Sequence, residues 1–347
     1  MRPLTFGVLV SVGPSAPIDP GQGGDDPRDR QRFDRTLEGL VDLRSGSDLA
    51  EALRSLGFQA KMLAADDDLD LALRSTDVDA CLLALRGRTG GSGDVQALLT
   101  LRSVPFCGPS GTATALAFDK VRSRQVLAYH NLPVPAALAL GGGRKASDKA
   151  LELLGWPCVV KPRRGALGLG VAALVDPEQV EVAIGRALDV DREVVLERAC
   201  SGLEVQVVLL GDRVLGAMEV HRRPLEDLLE ESATDDDASS MPDGDCGYVC
   251  PPRLPRGRLD GIYNLARRAV GALGLQDGLS RVDVMVGDRY NELILEVEPL
   301  PPLHRDGVVA RVARAAGFAY EELVVAIMDR LVLRAPSRAV GERTLLQ

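Results

Sequence analysis

The stretch from Trp156 to Val171, WPCVVKPRRGALGLGV, constrains the fold of this chain more than any other. An apolar extended run ends in Lys161-Pro162, and beyond Arg163 and Arg164 it opens into a loop carrying Gly165, Gly168 and Gly170. Proline drives the residue before it toward extended geometry, so Lys161 is expected at a strand end with its ammonium aimed off the sheet. Glycines, lacking a Cβ, let successive backbone N–H groups close around an oxyanion. Lysine, arginine and such a loop together are a chemistry for holding phosphates. A glycine-rich hairpin with solvated arginines is the alternative.

At 347 residues the chain exceeds one ordinary core, and two or three lobes of roughly 100 to 150 residues are expected. Its apolar runs are short and interrupted by charge, so none reaches the roughly 20 residues needed to cross a bilayer. The amino terminus, MRPLTFGVLVSVGP, has one basic residue before a brief apolar run and reads as a buried strand, not a signal peptide. A cytoplasmic location is expected. The net charge is −9 with basic residues scattered, which argues against a nucleic-acid partner. Five lysines stand against 36 arginines, so each lysine in a phosphate-like context carries weight. The six cysteines have no framework spacing; Cys246 and Cys250 lack a second pair, and reduced thiols are expected.

Strand and helix patterns alternate along the first third. LTFGVLVS reads as a strand, Asp48 to Leu56 as an amphipathic helix, DACLLAL as a strand, DVQALLTLRS as a helix and VPFCG as a strand. This rhythm predicts a parallel sheet. Between Gly13 and Arg32, proline, glycine and aspartate crowd together without apolar periodicity and predict a loop or insertion. One helix is expected from Thr112 to His130, carrying Asp119 and Lys120. A helix follows Asp176, then the strand EVVLE, and a third lobe begins near SGLEVQVVLLG.

The segment SRVDVMVGDRYNELILEVEP holds two alternating runs around a turn, a β-hairpin pattern. With period two, Arg281, Asp283 and Met285 share one face of the first strand. Glu292, Ile294, Glu296 and Glu298 share one face of the second. A tight turn pairs Asp283 toward Ile294, within reach of Glu296, and three carboxylates converge beside Arg281. Such crowding is favourable around a hard divalent cation, Mg²⁺ or Mn²⁺; a solvated acidic face is the other reading.

These motifs, in this order, resemble the ATP-grasp superfamily and, within it, the D-alanine–D-alanine ligase family. The likeness runs through LRGRTGGSGDVQALL, AFDKVRSRQVL, VVKPRRGALGLGV, EVVLERACSGLEVQVVLLG and SRVDVMV with LILEVEP. It implies an α/β, three-lobed ATP-grasp fold with a Rossmann-like N-terminal parallel sheet. The lobes would span residues 1–118, 119–198 and 199–335, with a tail at 336–347. It assigns Lys120, Lys161, Gly165 and Gly168 to ATP phosphates, Glu197 to the adenine amino group, and Arg198, Ala199 and Cys200 to the purine slot. Glu204 would take the ribose hydroxyls, Asp283, Glu296 and Glu298 two magnesium ions, and Arg281 a developing oxyanion. The implied activity is phosphorylation of a small carboxylate by ATP and attack by an amine, releasing ADP and phosphate. A homodimer fits the resemblance.

The departures lie on the amino-acid side. Where the family has a glutamate to hold the first substrate's ammonium, the match is Leu40-Val41-Asp42, and the loop Arg86 to Gly93 has lost its histidine. Serines of the phosphate loop are replaced near Leu167 and Gly168. Glu298 stands for an asparagine, Pro302 for an oxyanion-binding glycine, and Gly307 for a serine that holds the second substrate's carboxylate, with His304 and Arg305 close in sequence. The lid lysine is absent, leaving Arg222 and Arg223 ahead of an acidic tip at Asp235 to Asp237 expected to be disordered. These changes imply altered amino-acid recognition, or else a ligase-derived protein that binds nucleotide without turnover.

Overall fold

The computed structural model describes residues 3–11, 27–66, 68–141, 146–221, 247–287 and 292–331. Its first lobe is the parallel sheet that the alternating pattern predicts. Strands β1 (Thr5–Val10), β2 (Gln59–Ala64), β3 (Ala80–Ala84) and β4 (Phe106–Cys107) pair in parallel in the order β2-β1-β3-β4. All six residues of β1 and all five of β3 are buried, as strands covered on both faces must be. Helix α1 (Pro27–Ser55) extends the expected Asp48–Leu56 helix well toward the amino terminus and takes in the carboxyl end of the expected loop, whose remainder at 13–26 lies outside the described residues. Gly46 lets it close on the sheet, since a Cβ there would stand 2.3 Å from Val10.

Helices α2 (Leu69–Ser75), α3 (Gly87–Gly91) and α4 (Asp94–Leu101) complete this lobe. The single helix expected over 112–130 is two, α5 (Gly111–Phe118) and α6 (Lys120–Tyr129). Asp119 sits between them at φ −80°, ψ 100°, extended backbone that ends one helix and caps the next. Lys120 is therefore the first residue of a helix, not a mid-helix lysine.

The middle of the chain forms an antiparallel sheet in the order β5-β8-β6-β7, from β5 (Ala137–Gly141), β6 (Cys158–Pro162), β7 (Ala172–Leu174) and β8 (Glu193–Arg198). Helices α7 (Asp148–Leu154) and α8 (Val180–Val190) accompany it, and Cys158, Val160, Ile184, Ala187 and Leu196 are in its own apolar core. Lys161 falls one residue before the end of β6, where the Lys-Pro step places it.

The third sheet is antiparallel, in the order β11-β10-β9-β12-β13. Its strands are β9 (Leu203–Leu210), β10 (Arg213–His221), β11 (Gly247–Val249), β12 (Leu279–Val286) and β13 (Leu293–Glu298). Helix α9 (Arg256–Leu273) buries Ile262, Leu265, Ala266, Ala269, Val270 and Leu273, a 3.6-residue stripe, in a core shared with β9 and β12, and ends at Gly274 with φ 71°. Helices α10 (Val308–Ala315) and α11 (Tyr320–Met328) lie in one core with β1 and α1. The first and third lobes are thus packed as a unit, and Leu303 and Arg305 donate backbone N–H groups to Ser45 and Asp48 of α1 at 3.3 and 2.7 Å.

Candidate active site

Lys120 and Lys161 arrive from different elements, each paired with its own carboxylate and both near enough to Glu296 to hold its pKa down. Lys120 Nζ donates to the Gly165 carbonyl at 2.9 Å and pairs with Glu296 Oε1 at 3.3 Å. Lys161 Nζ pairs with Glu197, which also receives Arg124 from α6. Burial, with Arg124 and Lys120 nearby, holds the Lys161 ammonium pKa below the ordinary lysine value, while Glu197 and Glu296 act to raise it. The Glu197 carboxylate is 5% exposed, and both cations pair with its Oε1. Arg124 was hidden in the sequence, although its i+4 spacing from Lys120 puts the two on one helix face.

The glycine loop follows β6 with Leu167, Gly168 and Gly170 at φ 58°, 74° and 68°. The loop closes partly on itself, the Leu169 and Val171 N–H groups donating to the Ala166 and Gly168 carbonyls at 3.2 and 3.1 Å, and a Cβ at Gly170 would meet Val190 at 3.0 Å. The two arginines ahead of the loop serve it differently from the expected phosphate contact. Arg163 binds Asp119 at 2.7 Å and Glu193 at 2.5 Å; Arg164 reaches Asp119 at 3.1 Å and donates its backbone N–H to Asp191 at 2.8 Å. Their guanidinium groups hold the loop's base. From the first lobe, Arg88 approaches Asp191 at 3.7 Å.

On the third sheet the expected register is off by the width of a β-bulge. Asp283 pairs with Glu296, not toward Ile294, and Arg281 pairs with Glu298. Leu295 is the extra residue, since Val284 already pairs with Ile294. Ile294 consequently turns into the apolar core at 1% exposure, while Glu296 and Glu298 keep the opposite face with Asp283. The turn at 288–291 lies outside the described residues. Gln206 extends the row beside Asp283 and donates to Glu204 at 3.0 Å.

The three carboxylates do not gather into one cluster: among the described residues no three His, Cys, Asp or Glu side chains stand where they could hold a metal. Cations separate them. Arg281 grips Asp283 with two parallel bonds, Nε to Oδ1 at 2.7 Å and Nη2 to Oδ2 at 2.9 Å, and Lys120 takes Glu296. Burial raises the Asp283 pKa to about 6, against the pull of Arg281. Burial alone would raise Glu296 too, but Lys120, Lys161 and Arg281 hold it down at about 2. The Arg281 guanidinium is raised by Asp283 in spite of its own burial. Glu298 accepts the Leu300 N–H at 3.4 Å.

The residues expected to border a purine lie where β8 leaves the middle sheet. Arg198 and Ala199 donate backbone N–H groups to the Ala136 and Pro157 carbonyls at 2.9 Å each, and Cys200 follows. On the first lobe, Asp42 is no substitute for an exposed glutamate. Its carboxyl is 1% exposed and accepts from Ser11 and from the Arg86 N–H at 3.0 Å. Burial pushes its pKa up to about 7 although Ser11 and Arg86 act to lower it. Leu40 beside it is exposed. Arg222, Arg223, the acidic tip at 235–237 and Cys246 lie outside the described residues.

A family profile described as D-ala D-ala ligase C-terminus matches residues 131–329. The D-alanine–D-alanine ligase of Anaeromyxobacter sp. (strain Fw109-5) is 33% identical over 302 residues, covering 87% of this chain and 95% of that protein. That of Geobacter sulfurreducens is 31% identical over 88% of this chain and 93% of its own length. Among solved structures, the D-alanine–D-alanine ligase of Bacillus anthracis complexed with ATP superposes with a TM-score of 0.75 at 22% identity, covering 94% of this chain and 97% of that one. The VanG D-Ala:D-Ser ligase of Enterococcus faecalis gives 0.73 at 17% identity, over 95% and 99%. The fold is the ATP-grasp arrangement, and by sequence the chain belongs to the D-alanine–D-alanine ligase family.

Proposed function

We propose that this chain uses ATP to phosphorylate a small carboxylate and delivers the acyl group to an amine, releasing ADP and phosphate. The observation that carries this reading is the meeting of Lys120, Lys161 and the glycine loop with Glu296, Asp283 and Arg281 across two sheets. Phosphoryl transfer asks little covalent chemistry of a protein; it asks for positioning and for neutralisation of charge on the transferring group. The two ammonium groups would lie along the phosphates, and the loop N–H groups would hold their oxygens. Residues 198–200 would border the purine, with Glu204 toward the ribose. Glu197 would act through Lys161, fixing the ammonium in place.

The donor chemistry suits Mg²⁺ or Mn²⁺, since Asp283, Glu296 and Glu298 offer hard oxygens from one face of the sheet; to converge on an ion they would have to give up contacts to Arg281 and Lys120 that now keep them apart. When bound, such an ion would neutralise charge developing on the phosphates. Lys120 and Arg281 offset the carboxylates' charge in its stead and would yield part of those contacts to ligands. Two of the five N–H donors of Arg281 go to Asp283, and the guanidinium would meet the oxyanion formed when the amine attacks. The relatives matched over nearly their whole lengths are ligases, which supports turnover over a protein that only binds nucleotide. Calorimetry with ATP and Mg²⁺ tests the reading: affinity should collapse on chelation and in Lys161→Ala. Equal affinity with and without the lysine would remove it.

A further inference from the structure

Asp119 touches both halves of the phosphate apparatus. Its Oδ1 accepts the N–H groups of Val121 and Arg122 at 3.1 Å each, capping α6 so that the helix starts at Lys120. The same oxygen takes Arg163 Nε at 2.7 Å, and Oδ2 takes Arg164 Nη2 at 3.1 Å. The two segments also bond directly. The Lys120 N–H donates to the Arg163 carbonyl at 3.1 Å and Lys120 Nζ to the Gly165 carbonyl at 2.9 Å. Residues 119–120 and 163–165, more than forty positions apart in sequence, are laced together around one carboxylate that is 6% exposed as a residue.

We propose that Asp119 is a positioning residue that sets the Lys120 ammonium against the glycine loop, so that both face the same phosphate oxyanion. The proposal rests on the nucleotide reading of Lys120 and the loop. The need for the arrangement is physical. A lysine ammonium is a point charge on a flexible four-carbon stem, so its aim depends on how firmly its backbone is held. A glycine loop with residues at positive φ gains freedom for the same reason that it can cradle an anion. One carboxylate has lone pairs enough for Oδ1 to cap the helix and take Arg163 while Oδ2 takes Arg164. Although burial opposes it, the hydrogen bond from Arg163 keeps the Asp119 pKa below its ordinary value, so it is anionic at neutral pH.

Asp119→Asn separates the two tasks. Asparagine caps helices about as well as aspartate, but it carries no charge and turns an NH₂ donor toward Arg164. The expected result is a melting temperature close to the parent's, with ATP affinity about 10-fold weaker and adenosine, which shares the base and ribose, bound within twofold of the parent. Arg164→Met should also weaken ATP, and the double variant should lose no more than the worse single one, since the two residues act as a unit. Unchanged ATP affinity in Asp119→Asn, an equal loss for adenosine, or additive losses in the double variant would each overturn the proposal. If Asp119→Asn does not fold, the cap fails with the ion pair; Arg164→Met then decides, and a loss of ATP shared by adenosine counts against. Lys120→Ala is the control: if it leaves ATP affinity intact, the phosphate reading itself has failed, whereas a loss there with none in Asp119→Asn sinks only the role of Asp119.

Discussion

Glu197→Gln tests whether a buried carboxylate holds the lysine strand together. Glu197 is 4% exposed, and its Oε1 is ion-paired with Lys161 and Arg124, each 11% exposed at the side chain. Removing one partner from a buried ion pair costs about 3–5 kcal/mol, because the remaining charge is stranded. Two effects keep the loss at the lower end. The amide oxygen still accepts one hydrogen bond, and Lys161, whose pKa burial already lowers, escapes by shedding its proton. The expected destabilisation at pH 7 is therefore about 3 kcal/mol, a fall in melting temperature of roughly 4 °C for a chain of this length.

The escape by deprotonation makes the loss depend on pH. In the variant, the folded-state pKa of Lys161 drops further below its unfolded value. The unfolded chain then binds the extra proton throughout the window between the two, and stability rises with pH across it. Each pH unit returns up to about 1.4 kcal/mol, so the deficit against the parent should shrink from pH 7 to pH 9. Calorimetric melts of both proteins at the two pH values measure this. A variant within 2 °C of the parent at pH 7, or one with an equal deficit at both, would refute the reasoning.

Two further outcomes follow from the first lobe. Burial holds Asp42 protonated up to about pH 7, against an unfolded value near 3.8; the unfolded chain thus binds fewer protons between these limits and stability falls as pH rises through them. Asp42→Asn should remove up to about 4 kcal/mol of that fall, and equal urea midpoints for variant and parent at pH 8 would show it wrong. Because Leu40 carries no charge and the Asp42 carboxyl is taken by Ser11 and Arg86, D-Ala plus D-Ala should release ADP more slowly than another pairing of small acid and amine. A screen in which D-Ala plus D-Ala ranks first would contradict this.

The first-lobe parallel sheet, the strand end at Lys161 and the hairpin were legible because each rests on local rules: periodicity, the Lys-Pro step, alternation around a turn. The roles of Arg163 and Arg164 were not. Two arginines before a glycine loop look like phosphate ligands until Asp119, Asp191 and Glu193 fold against them, and no spacing in the chain announces partners 30 or 44 residues away. The break at Asp119 was half visible. Aspartate ahead of lysine is a helix-start signal, but Gly111–Phe118 is so apolar that the two helices read as one.

Leu295 shows what a strictly alternating reading loses. Ile294, Glu296 and Glu298 fall on one face by period two, and an isoleucine on an acidic face was the available sign that the period breaks. The structure places the extra residue between them. Had the strand continued without it, holding Ile294 in the core would have carried Glu296 inward as well, among Val282, Val284 and Ala266 of the apolar cluster. A carboxylate there would have no cation and would be costly to bury. The bulge instead re-aims Glu296 by one position, bringing it opposite Asp283 and against Lys120. Core packing and site chemistry make opposite demands on a single strand, and an inserted residue is the smallest change of backbone that meets both.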